Sequence, residues 1–532
     1  HTFRSHTDTE VVLRLFTEKG PAFLHDLNGF FALAIHDAQE DTLFLARDRF
    51  GVKPLLWTVQ DGQLLFASEL RALLELGAKA IPDRASAHQF LSFFFTPAPH
   101  TTVKDVHKLL PGHAIHATAA NVQVERWYDL VQAAAATAPA TDPKKRLHDL
   151  LDDAVQLRLV ADVPVGAFLS GGVDSSIISA LAARHHKGLH TFSIGYADDP
   201  FFDETQYAEE VARHIRSEHT TYKLGREELA DGYTRLLAAL DEPFADSSAL
   251  PSFILCERTR KHVTVALSGD GADEVFGGYR KHQAELRWRQ PGAAERAVAL
   301  MAPLWRALPK SRNSAWQDRI RQLDRFARMA GQGDAERFLG LAAFTPRETV
   351  DALVASHGAQ EEAAAREPDL TAALRTMPGM NGVLLADVCS TLPNDMLHKV
   401  DLTSMAHALE VRPPFLDRRV VEFAFSLPAG AKLHRGSGKH ILRETFGPML
   451  PPTVMQRGKK GFEVPLRDLL RGPLAALVDE VLRPDAVAAA GLVPEQVART
   501  IRQLRSTDPG TSQATIHALL VYVSWWTNRT AT

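Results

Sequence analysis

The sequence has few cysteines, no long apolar run and little net charge, and each absence excludes a class of protein. Cys256 and Cys389 are the only cysteines among 532 residues, too few for a disulfide framework, which favours a reducing cytoplasm. No apolar run reaches the roughly 18 residues of a membrane span, and the first residues lack the basic and apolar regions of a signal peptide. A formal net charge of -4 gives no footprint for nucleic acid. We therefore expect a cytoplasmic protein without nucleic-acid or membrane partners.

The rest of the composition indicates a large folded protein with more than one domain. At 45% hydrophobic and 23% charged residues, the chain can bury more than one core. Residues 133–143 are low in complexity and punctuated by prolines, as in a linker. We predict a first domain over 1–130, a linker over 131–143 and a second domain over 144–532.

The most informative stretch is 168–176, a hydroxyl-rich loop with a glycine pair. A short apolar run, 163–169, predicts a strand before it, and 177–183 predicts a helix after it. Gly171 and Gly172 let the backbone approach a ligand closely, and the helix presents free N–H groups and a positive dipole end. The loop also holds three hydroxyl donors, Ser170, Ser175 and Ser176. This arrangement indicates a pyrophosphate cradle.

Asp174 does not fit simple anion binding, because a carboxylate repels phosphates unless a cation lies between them, and we interpret it as a magnesium ligand. The alternative is an ordinary glycine turn capped by Asp or Ser. The loop is not the common P-loop, since no Lys followed by Ser or Thr comes after its last glycine. It resembles the loop of ATP pyrophosphatases, which split ATP between its α and β phosphates to adenylate a substrate. That resemblance implies ATP contacts from Leu169, Ser170, Gly171, Gly172, Asp174, Ser175 and Ser176.

A second motif follows the predicted strand 263–267. Residues 268–279 combine four glycines with three acidic residues, which suits a metal and nucleotide site better than a core. Asp273 is the best partner for Asp174 on one magnesium ion, since two carboxylates can neutralise the charge released with pyrophosphate. A solvated acidic turn is the alternative. The resemblance further implies that Ser268 and Gly269 contact the ribose or adenine, that Asp270 positions the activated substrate, and that Ile194, on a predicted strand over 190–196, contacts adenine.

The N-terminal region predicts strands within 27–37 and 42–55. With 65–70 they resemble the second half of class II glutamine amidotransferase domains, Ntn-type sandwiches of antiparallel sheets between helices. That family uses an N-terminal cysteine and an upstream Asn-Gly-Glu motif, and neither is present here. Among its glutamine-binding positions only Asp8 matches, with a helix N-cap as the alternative role. We therefore expect an N-terminally truncated remnant that does not hydrolyse glutamine, and we interpret the charges of 47–51 as structural, orienting the loop between the domains.

Taken together, the two motifs resemble the glutamine-hydrolysing asparagine synthetases over nearly the whole chain. Further matching segments are 392–401, 404–417, 438–443 and 457–462. The resemblance implies a partial amidotransferase sandwich followed by a parallel-sheet ATP-pyrophosphatase domain with extra helices, including helical packing over 283–377. It also implies ATP and Mg²⁺ as cofactors, and a reaction in which aspartate is adenylated to β-aspartyl-AMP and then amidated by ammonia from glutamine.

Within that resemblance, Asp270, Asp273 and Lys459 are the candidate catalytic residues, with Lys459 at the pyrophosphate and Lys460 as the fallback. Three other functions stay open: amidation of another carboxylate such as a sugar acid or peptide side chain, a β-lactam-forming or peptide-cyclising synthetase, and a catalytically silent binding protein. Homodimers occur among relatives, but no residue requires one. The sequence does not specify the acid, nor whether Pro413, where close relatives carry Val, alters its pocket.

Overall fold

The computed structural model describes residues 2–199, 203–308, 315–354, 356–434, 436–457, 464–507 and 509–530. They form an N-terminal unit of two antiparallel sheets, a five-stranded parallel sheet and many helices. This is the combined α+β and α/β architecture that the sequence predicts. None of the helices in these ranges is long and apolar enough to cross a membrane.

The two N-terminal sheets pack face to face. Strand Thr42–Arg47 shows how the sequence builds this layer, because its side chains alternate between the two faces. Leu43 and Leu45 lie in the core between the sheets, whereas Phe44 and Ala46 pack under the N-terminal helix. The first sheet contains, in spatial order, Ala32–Asp37, Thr42–Arg47, His113–Ala117 and Val122–Arg126. The second contains Gln63–Ala67, Leu56–Gln60 and His107–Lys108, and the helices of this unit are Asp8–Lys19, Gly20–His25 (3-10), Leu70–Glu75 and Arg84–Phe93.

The charged loop after strand Thr42–Arg47 ends the strand and connects the two halves of the chain. The Asp48 carboxylate accepts three backbone N–H bonds at 2.9 to 3.1 Å from residues that follow it, including that of Lys53. The Arg47 guanidinium donates to three backbone carbonyls. Lys53 Nζ then lies 2.9 Å from Asp401 of the C-terminal half. The charges of Arg47 and Asp48 thus have the structural role that was predicted, and their part in orienting the loop between the domains stays a prediction.

The parallel sheet places its ligand-binding edge where the two glycine-rich motifs lie. Numbered along the chain its strands have the order 3-2-1-4-5, so the winding reverses between the first and fourth strands. Ligands of such sheets bind beyond the carboxyl ends of the strands at this reversal. In spatial order the strands are Glu218–Leu224, His190–Tyr196, Val165–Phe168, Val265–Leu267 and Glu410–Arg412.

Helices cover both faces of this sheet and make up most of the remaining chain. Helix Pro143–Leu159 precedes the first strand of the sheet, and the helices between its first four strands are Val173–His185, Thr205–Ile215, Arg226–Ala239 and Ala249–Thr259. Helix Ala272–Phe276 follows the fourth strand, and the stretch predicted to be helical packing, 283–377, contains Arg280–Arg289 in part, Ala293–Leu300, Ala302–Ala307, Ala315–Met329, Asp334–Ala342, Arg347–Leu353, His357–Ala365, Glu367–Thr371 and Ala372–Arg375. The C-terminal part contains Gly379–Cys389, Leu392–Met396, Leu397–Met405, Pro414–Leu416, Arg418–Ser426, Ala429–Lys432, His440–Phe446, Gly447–Met449, Pro452–Gln456, Leu466–Arg471, Ala475–Val481, Pro484–Ala489, Pro494–Arg505 and Ser512–Thr530.

The segment predicted as a linker is partly helical. Its alanines form helix Leu130–Ala136, whose first turn is capped by the Asp129 carboxylate, since alanine is the strongest helix former. This helix packs against Arg418–Ser426 and buries Ala134. The predicted domain limits themselves stay a prediction, because the N-terminal and C-terminal halves share one apolar core.

Candidate active site

The glycine-pair loop has the geometry of a cradle opening at the edge of the parallel sheet. It leaves strand Val165–Phe168 and enters helix Val173–His185, with Gly172 at the N-cap. Gly171 has a φ of +71°, and a Cβ there would lie 2.5 Å from the Tyr207 side chain, so only glycine fits. The loop is held by its own hydroxyls, because Ser170 Oγ and Ser175 Oγ are 3.0 Å apart.

The second motif packs directly against this loop. A Cβ on Gly269 would lie 2.8 Å from the backbone nitrogen of Ser175 and 2.9 Å from Asp174 Cβ, so a side chain there would push the motifs apart. A Cβ on Gly278 would likewise overlap the side chains of Asp273 and Lys439. Two segments about a hundred residues apart therefore meet at the reversal point of the sheet, as the strand order requires.

Asp174 and Asp273 converge, and Lys439 lies between them. Lys439 Nζ is 2.5 Å from Asp174 Oδ2 and 2.6 Å from Asp273 Oδ1, and its side chain is almost fully buried. Burial lowers the pKa of Lys439, but the two carboxylates outweigh it, so the net pKa is raised and the amine stays charged. Lys439 itself has a φ of +57°, an uncommon value for a residue with a side chain.

The carboxylates fit the proposed magnesium ligands in donor chemistry, although no group of three or more His, Cys, Asp or Glu side chains with metal-binding geometry occurs in the described residues. Asp174 Oδ1 is buried without a hydrogen-bond partner among those residues. Magnesium prefers one or two carboxylates together with phosphate and water ligands. The pair Asp174 and Asp273 therefore suits a cation that arrives with a nucleotide.

A cleft of about 440 Å³ opens from this cluster. It is lined by the glycine-pair loop on one side and by Tyr279, Arg280 and Gln283 on the other. The Gln283 amide is enclosed, and neither its oxygen nor its nitrogen has a hydrogen-bond partner in the described part of the chain. A buried amide without a hydrogen-bond partner lowers the free energy of unfolding, unless a ligand forms the missing bonds. The remaining basic residues of the lining are Lys439, Arg443 and Arg457.

Arg457 ties the end of helix Pro452–Gln456 to the pyrophosphate loop. Its guanidinium donates to the Gly171 carbonyl at 3.4 Å, lies 4.3 Å from the Tyr207 ring centre and forms an ion pair with Glu204. The next residues, 458–463, lie outside the described residues, and with them the candidates Lys459 and Lys460. Arg457, the last described residue before them, lines the cleft.

Asp270 lies in a half-buried, strongly charged environment next to the cleft. Burial raises the pKa of its carboxyl, the Ser268 hydroxyl and Lys399 lower it, and Asp174 and Asp273 raise it further. Taken together, these effects raise the pKa of Asp270. Lys399 is itself held by Asp246, with Nζ 2.8 Å from Oδ2. A carboxyl of this kind takes up a proton more readily than an ordinary aspartate.

The structure brings together many, but not all, of the sequence-predicted residues. Of the predicted ATP-binding positions, Ser170, Gly172 and Asp174 line the cleft. Leu169, Ser176 and Ser268 are buried behind it, and Ile194 packs in the apolar core. Asp8 is exposed in the first turn of helix Asp8–Lys19, where Thr7 and not Asp8 is the N-cap. Pro413 lies outside the cleft lining, between strand Glu410–Arg412 and the turn Pro414–Leu416.

Sequence reasoning missed Lys439, Gln283 and the Arg457–Glu204 pair as site residues. The available signal for Lys439 was its place in 438–443, a segment that supported the resemblance but had no assigned chemistry. Gln283 had no signal, because a glutamine in an Arg-rich helix is usually solvent-exposed. Its position became evident only from the packing of helix Arg280–Arg289 along the cleft.

Comparison with known proteins identifies the family. Residues 146–528 match the family model for asparagine synthase, and residues 1–128 match that for a glutamine amidotransferase domain. Asparagine synthetase (glutamine-hydrolyzing) 1 of Bacillus subtilis is 28% identical over 99% of this chain and 81% of its own length. A putative asparagine synthetase (glutamine-hydrolyzing) of Mycobacterium tuberculosis is 33% identical over 88% and 72%, and asparagine synthetase (glutamine-hydrolyzing) 3 of Bacillus subtilis 30% identical over 87% and 71%. The chain belongs to the asparagine synthase family.

Proposed function

We propose that this protein is a glutamine-dependent asparagine synthetase that amidates aspartate through β-aspartyl-AMP. The observation that carries the proposal is the convergence of Asp174, Asp273 and Lys439 beneath the glycine-pair loop at the reversal point of a parallel sheet. These residues offer two carboxylates and one ammonium at the place where such sheets bind nucleotides. The names of the relatives support the same reaction.

In the proposed first step, a β-carboxylate oxygen of aspartate bonds to the α-phosphorus of ATP. The bond from that phosphorus to the oxygen bridging the β-phosphate breaks, and pyrophosphate leaves. Both reactants are anions, so the step needs neutralisation at the phosphates. Asp174 and Asp273 would hold Mg²⁺, which would supply part of that neutralisation when bound. Lys439 places a permanent positive charge beside the cradle, and Arg443 and Arg457 face the same cleft.

In the second step, ammonia bonds to the activated carbonyl carbon and loses a proton, and AMP leaves with the electrons of the acyl–oxygen bond. Asp270 is proposed to orient the acyl adenylate and to accept that proton, and the raised pKa of its carboxyl supports the second role, since it takes up a proton more readily than an ordinary aspartate. The resemblance adds Lys459 at the pyrophosphate. In the intact protein, ammonia is proposed to come from glutamine, with Asp8 holding the glutamine α-amino group, whereas this chain by itself is expected to use ammonium.

The test is product formation by the 532-residue chain with ATP, Mg²⁺ and ammonium, with and without aspartate. Ammonium is used so that the assay reports the synthetase site alone. We expect AMP, pyrophosphate and asparagine in equal amounts, all dependent on aspartate. AMP release that depends on another acid, such as a sugar acid, would replace aspartate as the substrate, and no nucleotide binding by the folded protein would reject the proposal.

A further inference from the structure

The helical segment between the cleft and residue 330 carries an unusual surface. Leu300 is 83% exposed, the most exposed large hydrophobic residue of the described chain, and Met301, Leu304 and Trp316 are 41%, 47% and 60% exposed. Four of sixteen exposed large hydrophobic residues thus fall within seventeen positions. We call Leu300, Met301, Leu304 and Trp316 the apolar patch. Single exposed apolar residues are ordinary, but a cluster of this kind indicates an interaction surface.

The local fold explains why these side chains face outward. Leu300 ends helix Ala293–Leu300, and Leu304 lies four positions later in Ala302–Ala307, so both project from the junction of two short helices. Helix Ala315–Met329 packs against both and carries Trp316 in its first turn. This third helix buries Ile320, Ala327 and Met329, so it is anchored on its inner side.

The same segment is strongly basic. Between 287 and 328 the sequence contains ten Lys and Arg against three acidic residues, although the whole chain has a formal charge of -4. Arg296, Arg306 and Arg319 are exposed on the three helices of the patch. The described acidic side chains have partners of their own: Glu295 is partly buried and accepts the Gly292 N–H at 2.9 Å, and Asp324 is 2% exposed and paired with Arg328.

We propose that this surface binds anionic lipid headgroups, with the apolar patch entering the interface of a membrane. Exposed leucine and tryptophan side chains on helices that also expose arginine are typical of helices that lie in a bilayer interface. A second copy of this chain fits less well, because a two-fold contact through the same patch brings arginines against arginines. An anionic surface attracts them instead. No described helix is long and apolar enough to cross a bilayer, but binding at the surface of a bilayer does not require one.

The test is co-sedimentation of the full chain with vesicles of phosphatidylcholine alone or mixed with phosphatidylglycerol. We expect binding to the mixed vesicles and little to phosphatidylcholine alone. Because the Debye length falls from about 10 Å at 0.1 M to about 3 Å at 1 M salt, high salt should weaken binding. Each basic residue near an anionic surface contributes about fivefold to binding, so Arg296→Gln with Arg306→Gln should weaken it about 25-fold.

The apolar contribution is tested by Leu300→Ser, Leu304→Ser and Trp316→Ser combined, which should weaken binding at least about tenfold. A matched triple variant at exposed apolar residues elsewhere, Leu76→Ser, Val124→Ser and Val160→Ser, should bind as the parent does. Equal melting temperatures exclude misfolding as the cause.

Equal binding by both triple variants would overturn the proposal, as would no binding to anionic vesicles. Concentration-dependent dimerisation that only the patch variant loses would assign the surface to a second copy and also overturn it. Vesicle binding needs no catalysis, so its outcome is independent of the proposed reaction.

Discussion

Replacing Lys439 by methionine should remove the positive charge between Asp174 and Asp273 while keeping an unbranched side chain of similar size. Asp174 and Asp273 each lie within 2.6 Å of the same Nζ, so their facing oxygens are no more than about 5 Å apart. Without the ammonium, two carboxylates at that distance repel by about 3 kcal/mol at an effective dielectric constant of 20. Removing one preorganised charge at a transition state typically costs about 10² to 10³ in rate. We therefore expect kcat for pyrophosphate release to fall by that factor.

The assay is rapid-quench measurement of pyrophosphate release with saturating ATP, aspartate and Mg²⁺, together with the melting temperature. Lys281→Met is the matched control, because Lys281 Nζ lies 2.6 Å from the fully buried Asp387 and does not line the cleft. Both variants should lose stability, since each removes the lysine partner of a carboxylate, although Asp387 keeps His282 at 2.6 Å and Thr391 at 2.8 Å. Only Lys439→Met should lose turnover per folded molecule. Normal pyrophosphate release by folded Lys439→Met protein, or equal losses in both variants, would refute the reasoning.

Three further predictions follow from the site. Burial raises the pKa of Glu274 to about 7, so the native state holds this proton more tightly than the unfolded chain, and this stabilisation is lost as pH rises through that value. Between pH 5 and 8 the free energy of unfolding of the parent should fall by about 2 to 3 kcal/mol relative to Glu274→Gln, measured by urea unfolding. Gly171→Ala should weaken ATP binding at least about tenfold by calorimetry, whereas Gly188→Ala, with a φ of +73° and only an ordinary contact at 3.8 Å to Glu218, should show only the backbone cost of about 1 kcal/mol in stability. Gln283→Leu should weaken binding of Mg²⁺-pyrophosphate about tenfold while leaving the free protein equally or more stable, because it removes an unpaired buried amide; Gln290→Leu, at the exposed C-cap of the same helix and outside the cleft lining, should leave the pyrophosphate affinity unchanged.

Each of these has a clear contrary result. Parallel stability curves for the parent and Glu274→Gln would show that this carboxyl does not titrate in the stated range. Equal ATP binding by the two glycine variants would show that the contact with Tyr207 does not limit the loop. A destabilised Gln283→Leu protein with unchanged pyrophosphate affinity would make the amide structural.

The spacing of apolar residues along the chain made much of the fold predictable. Strand His190–Tyr196 and the helix predicted over 177–183 appear where the pattern of apolar residues indicates, since burial on both faces and helical spacing leave direct marks in the sequence. The linker prediction missed helix Leu130–Ala136, because a run of alanines occurs in linkers as well as in helices. Only packing against Arg418–Ser426 decides between the two.

The site was predictable where backbone chemistry sets the residue type. Neighbouring atoms lie too close to Gly171 and Gly269 for any side chain, so the two glycines mark the position of the cradle. Lys439 and Gln283 were not predictable from local pattern, since a lysine or glutamine acquires its role only from the segments that fold around it. Lys439 meets Asp174 across 265 residues of chain.

The central claim is that a carboxylate of the substrate attacks the α-phosphorus of ATP at this cleft. Its most direct test is turnover of aspartate labelled with oxygen-18 in the β-carboxylate, in the presence of ATP, Mg²⁺ and ammonium, followed by mass spectrometry of the nucleotide. The account predicts one labelled oxygen in AMP and none in pyrophosphate. Label in orthophosphate together with ADP, or asparagine formed with unlabelled AMP, would contradict it.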